Sequence, residues 1–79
     1  MRKCPKCQGT QVELSYDYLR PLVMAWWTCY GCRIVSPPVL MDIAVAEMGT
    51  ETVDELVLEE WKQQLAAGQV YALGPDETP

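Results

Sequence analysis

Four cysteines, the entire cysteine inventory of this 79-residue chain, fall as two Cys-x-x-Cys pairs. Cys4-Pro5-Lys6-Cys7 and Cys29-Tyr30-Gly31-Cys32 are separated by 21 residues. Each pair places two thiolates on one tight turn, and two such turns facing each other supply the four corners of a tetrahedral metal site. The spacing therefore predicts one structural zinc ion held by Cys4, Cys7, Cys29 and Cys32, with no coordination position left for water or substrate. The chain contains no histidine, which excludes both a mixed Cys/His site and a histidine general base. Iron suits the same four sulfurs. Two disulfides are the other chemical use of the set, but they require an oxidising compartment, and Met1-Arg2-Lys3 leads into Cys4 without an apolar signal segment. A thioredoxin-like redox pair needs a larger βαβ setting than this length provides.

A chain of this size builds too small an apolar core to be secure without a staple. Zinc in small peptides contributes on the order of 10–16 kcal/mol, so folding of the first half is expected to depend on the ion. The longest apolar run, Leu22 to Trp27, is far too short to cross a bilayer. The expected location is the cytoplasm, with no membrane partner.

Between the cysteine pairs, Val12, Leu14, Tyr16 and Tyr18 alternate with Gln11, Glu13, Ser15 and Asp17. This period of two predicts a strand with one buried face. Leu19-Arg20-Pro21 reads as a turn, Leu22 to Thr28 as a returning strand that delivers Cys29, and Arg33-Ile34-Val35 as a third strand. Two cysteine knuckles joined by these strands make a zinc ribbon over residues 1–36. Pro37-Pro38 marks its boundary, because neither proline donates a ladder hydrogen bond and each disfavours helix in the residue before it.

Residues 37–73 read as a helical C-terminal extension packed on or beside the ribbon. Val39 to Met48 is expected to form a short helix stopped by Gly49. A second helix is signalled by the capping-box pair Thr52 and Glu55 and closed by Gly68. Its apolar stripe is Val53, Leu56, Val57, Trp61 and Leu65. Gln69 to Leu73 suits a terminal strand, and Gly74 to Pro79 reads as a disordered tail over residues 74–79. The fold class is thus a small α+β metal-stabilised domain: a short antiparallel sheet with two cysteine knuckles, followed by one or two C-terminal helices.

Cys4-Pro5-Lys6-Cys7 near the start, a strand-sized spacer and Cys29-Tyr30-Gly31-Cys32 together resemble the small bacterial and phage zinc-ribbon proteins of the rubredoxin-like type. The likeness covers about residues 3–36. Trp61 on a helix after the second knuckle is loosely similar to the restriction-alleviation (Lar-type) ribbons, and ribbons at the front of certain antitoxins share the paired knuckles. Family knuckles commonly read Cys-Pro-x-Cys-Gly, whereas here Gln8 and Arg33 follow the second cysteine of each pair. The resemblance implies the zinc-ribbon fold; the closed metal site, the lack of catalytic groups and the division of charge add the expectation of a phage or mobile-element protein directed at a host protein that handles nucleic acid.

Charge divides sharply along the chain. Residues 1–36 carry Arg2, Lys3, Lys6, Arg20 and Arg33 against Glu13 and Asp17, a net +3. Residues 37–79 carry Lys62 against Asp42, Glu47, Glu51, Asp54, Glu55, Glu59, Glu60, Asp76 and Glu77, a net −8, and the whole chain is −5. Four thiolates around a divalent cation lower the metal-loaded chain to about −7. The acidic half suits a protein partner with a basic surface, with Glu55, Glu59, Glu60 and Trp61 as the candidate contact residues. Nucleic acid is the alternative partner, held by Arg2, Lys3, Lys6 and Arg33 around the knuckles with tyrosine and tryptophan stacking, although a chain of this charge repels a phosphate backbone. No set of residues reads as catalytic, so the chain is expected to be a regulatory or adaptor protein and not an enzyme. The apolar surface of the second half suggests a homodimer as a secondary reading.

Overall fold

The computed structural model describes residues 2–73, and the expected disordered tail lies outside the described residues. The described elements run β1 (Val12–Leu19), β2 (Leu22–Cys29), β3 (Ile34–Val35), β4 (Val39–Asp42), α1 (Ile43–Ala46), α2 (Thr50–Ala66) and β5 (Tyr71–Ala72). The strands form one antiparallel sheet in which β2 is central. It pairs with β1 along its whole length, from Val12↔Cys29 to Leu19↔Leu22. Its other side is shared between β3 at Thr28 and Cys29 and β4 at Leu22 to Ala25, while β5 extends the sheet beyond β3.

Sheet and helix enclose one core. Period-two geometry turns Val23, Ala25, Trp27 and Cys29 of β2 to the same face, and all four are buried together with Ile34 and Met41. Helix α2 lies against that face through buried Val53, Val57 and Trp61. Trp27 and Trp61 meet edge to face, with ring centroids 6.1 Å apart and planes at 87°. That geometry sets the positive edge of one ring against the negative face of the other and adds about 0.5–1.5 kcal/mol to the burial itself.

Pro37-Pro38, read from sequence as a boundary, lies within the sheet at a bulge. Between the pairs Thr28↔Val35 and Ala25↔Val39, two residues of β2 (Trp26 and Trp27) face three of the opposing chain (Ser36, Pro37 and Pro38). The additional residue inverts the facing parity of the strand. As a result Ile34 before the bulge and Met41 after it both reach the core. Ser36 takes over the hydrogen bonding that the prolines cannot provide. Its N–H donates to Trp27 O and its Oγ accepts from Trp27 N–H, each at 2.8 Å.

Four expectations require correction. The helix expected over Val39 to Met48 is a strand for its first four residues, and only Ile43–Ala46 is helical. An apolar run without a period suits either state. The open half of β2 recruits it as a strand, and Asp42 then ends the strand by accepting the Ala44 N–H at 2.9 Å. Helix α2 begins at Thr50, two residues before the expected cap, with Gly49 at its N-cap and no side-chain cap. Leu56 is exposed and Leu58 packs against the core in its place. Tyr18 is 61% exposed although its cross-strand partner Val23 is buried, because β1 is the edge strand of the sheet.

The end of α2 matches its expected glycine stop. Gly68 has φ +79°, its N–H donates to Leu65 O, and Gln69 N–H donates to Gln64 O, both at 3.0 Å. This pair of bonds is a Schellman closure, and it turns the chain back toward β3.

Candidate metal centre

The hairpin brings the two knuckles together. Cys29 is the last residue of β2 and sits opposite Val12, the first of β1, and the ladder is prolonged where Tyr30 N–H donates to Gln11 O at 2.9 Å. The chain before Gln11 is thereby held beside the turn that carries Cys32. Within the first knuckle, Gln8 N–H donates to Cys4 O at 2.8 Å and Cys4 N–H to Gly9 O at 2.9 Å, which folds Cys4 and Cys7 onto a single turn.

All four Sγ atoms lie within 4.8 Å of one another. Cys4 Sγ is 3.7 Å from Cys32 Sγ, and Cys29 Sγ is 3.6 Å from both Cys7 Sγ and Cys32 Sγ. A metal–sulfur bond of about 2.3 Å in a tetrahedron requires sulfur–sulfur edges of about 3.8 Å. Three of the six separations thus match the edges of one tetrahedral site, and all four thiols are free rather than joined in disulfides. The donor set fits a single ion, and Cys4, Cys7, Cys29 and Cys32 form a candidate metal-binding site.

Backbone conformation explains how the motif tolerates its unusual residues. Gln8 and Arg33, each directly after the second cysteine of a pair, have φ of +61° and +58°. This is the left-handed region that glycine enters freely and other residues enter at a cost of about 1–2 kcal/mol. Both knuckles therefore close on a left-handed residue, although neither carries glycine at that position. Gly9 is needed for a different reason. Its N–H donates to Cys7 Sγ at 3.4 Å, and a Cβ at this position would lie 3.2 Å from the sulfur.

The thiols are electrostatically unequal. Donation from the Gly9 N–H draws the Cys7 thiol down to about 7. Burial pushes the Cys4 thiol up, and burial together with the neighbouring sulfurs pushes Cys32 up strongly. Cys7 is the exposed corner and Cys4 a buried one. A divalent ion held by Cys4, Cys7, Cys29 and Cys32 would require all four as thiolates.

The remaining sequence candidates are dispersed. Arg2 is committed to the core rim: its Nε donates to Asp54 Oδ1 at 2.8 Å. Lys3, Lys6 and Arg33 are exposed beside the knuckles. Glu55, Glu59 and Glu60 are exposed on α2, but Trp61 is 1% exposed and packs in the core, so the expectation that it anchors a partner is corrected. Asp54, which sequence reasoning counted only among the acidic residues, accepts hydrogen bonds from both Arg2 and the Trp27 indole. No local pattern announces such a long-range contact. Among the described residues no helix is long and apolar enough to cross a membrane. No protein-family model matches the chain, and no curated protein or solved structure matches it either.

Proposed function

We propose that this chain is a zinc ribbon whose sheet is covered by one helix, and that it acts as a binding protein on a partner with a basic surface. Zinc is the favoured ion because four thiolates suit it and it needs no redox partner. With four protein ligands the ion is structural, and its role is to hold the knuckles at the end of the hairpin. The absence of histidine and of any open coordination position argues for binding and against catalysis.

The observation that carries the reading is the solvent face of α2. Glu51, Glu55, Glu59 and Glu60 are exposed there, with Lys62 the one basic residue of the helix. Carboxylates on a rigid helix present a fixed negative surface, which steers a basic partner and selects its orientation. A protein surface that ordinarily holds nucleic acid has the complementary chemistry. Arg2 is already paired with Asp54, which leaves a smaller basic patch than the sequence suggests for direct contact with nucleic acid.

The test compares the zinc-loaded chain with a variant carrying Glu55→Gln, Glu59→Gln and Glu60→Gln in affinity capture from cells of the native host. One protein retained by the former and lost with the latter supports the reading. Salt-sensitive mobility shifts of DNA or RNA that disappear in a Lys3→Ala, Lys6→Ala variant contradict it.

A further inference from the structure

The face of the sheet turned away from α2 holds a second surface that the acidic helix does not explain. Met24 and Trp26 point there, opposite to the buried Val23, Ala25 and Trp27. With Val35, Pro37, Pro38 and Tyr71 they line an apolar groove of about 480 Å³. Trp26 is half-buried and Tyr71 is 50% exposed. Neither the Trp26 indole N–H nor the Tyr71 hydroxyl has a hydrogen-bond partner among the described residues. Trp26 and Tyr71 thus give the groove two aromatic side chains, each with a donor that no described residue takes up.

We propose that this groove is a docking site for a proline-rich peptide in the polyproline II conformation carrying basic residues at its flanks. Such a peptide makes no internal backbone hydrogen bonds, so its carbonyl groups are free to accept from Trp26 and Tyr71 while its rings pack against the two aromatic side chains. Strand addition is disfavoured at the same place, because Pro37 and Pro38 have no N–H to donate. Charge selects the basic flanks. Glu13 and Asp17, both exposed, lie on this face of β1 directly across from Thr28 and Met24, on either side of the Ser15↔Trp26 pair. The same charges oppose a second copy as the occupant, since apposing two such faces would bring the carboxylates of two net-negative chains together. The groove is separate from α2, so this inference stands or falls independently of the acidic-helix reading.

The experiment titrates the full, zinc-loaded, 15N-labelled chain with the synthetic peptide Arg-Pro-Leu-Pro-Pro-Leu-Pro-Arg and follows the indole N–H signals. Trp26 is expected to shift and saturate at a dissociation constant of about 10–500 µM, a range ordinary for a small groove of this kind. The Trp26 → Ala and Tyr71 → Ala variants, each checked for retained zinc, are each expected to bind at least about tenfold more weakly. Neutralising Glu55, Glu59 and Glu60 is expected to leave binding unchanged, which separates this site from the helix. The proposal is overturned if Arg-Ala-Leu-Ala-Ala-Leu-Ala-Arg binds equally well or if Trp26 is unmoved at about 2 mM peptide. Tighter binding of an oligothymidine to Trp26, or a Trp26 shift that follows dimer formation without peptide, also overturns it.

Discussion

The Trp27 indole N–H donates to Asp54 Oδ1 at 3.0 Å, joining the central strand to the first turns of α2 across 27 residues of sequence. The same oxygen accepts from Arg2 Nε at 2.8 Å, so one carboxylate ties the N-terminal knuckle, the sheet and the helix together. Trp27 is 2% exposed. An indole donor at this depth has few other routes to water, which makes Asp54 the acceptor on which the docking of α2 depends.

Asp54→Ala is therefore expected to lower stability by about 1–3 kcal/mol, because it leaves the indole donor buried and unpaired. Arg2→Ala removes only the partly exposed arm of the same junction and is expected to cost less than about 1 kcal/mol. Denaturant unfolding of the zinc-loaded proteins measures both. Equal losses would show that the indole bond carries no special weight.

Trp61→Ala removes the other half of the edge-to-face pair and opens a cavity beneath the helix. A loss of about 3–5 kcal/mol is expected, with collapse of the near-ultraviolet dichroism from Trp27. Retention of that dichroism would place the main support of Trp27 elsewhere.

The left-handed residues of the knuckles give a prediction of opposite sign. Gln8→Gly relieves a φ of +61° and is expected to stabilise the zinc-loaded chain by about 0.5–1 kcal/mol, after the greater freedom of glycine in the unfolded chain is discounted. Gly68→Ala imposes the converse strain at φ +79°. It is expected to destabilise by about 1 kcal/mol, purely through conformation, since no atom lies within 4 Å of the added Cβ.

Proton competition fixes the pH dependence of the metal site. In the metal-free fold the Cys4 and Cys32 thiols are raised above their ordinary value of 9.0. Their contribution to metal-free stability is complete below that value and is lost as pH rises through the raised folded values. Cys7, drawn down to about 7, contributes in the opposite sense: its share is present above 9.0 and lost as pH falls through about 7. Metal binding must remove the protons that Cys4 and Cys32 still hold at neutral pH. Zinc affinity is accordingly expected to fall about a hundredfold or more per pH unit between 7 and 6, with at least about two protons released per ion. Calorimetric titration in buffers of different ionisation enthalpy counts them, and a release of fewer than one proton contradicts the assignment.

Much of this architecture is legible from local chemistry. The alternation from Val12 to Tyr18, the turn before Leu22 and the two cysteine pairs specify a hairpin with its thiols at one end, and the sulfurs do cluster there. Gly68 ends α2 because only the left-handed region closes the Schellman turn. The errors arise where partners distant in sequence decide. Val39 to Asp42 becomes a strand because half of β2 is otherwise unpaired, and no feature of those four residues records that vacancy. The Pro37-Pro38 bulge is likewise visible only when the registers on its two sides are compared. Trp61 is the exception, because its spacing of four from Val57 already sets it on the apolar stripe, and burial follows that local pattern rather than the acidic residues beside it.

The most direct measurement of the central claim is elemental analysis of the purified chain combined with thiol titration after unfolding. One zinc ion and four free thiols per chain are predicted, with Cys29→Ser lowering the metal content and unfolding residues 1–36. A folded chain with no metal, with iron in place of zinc, or with its thiols consumed in disulfides would contradict the account.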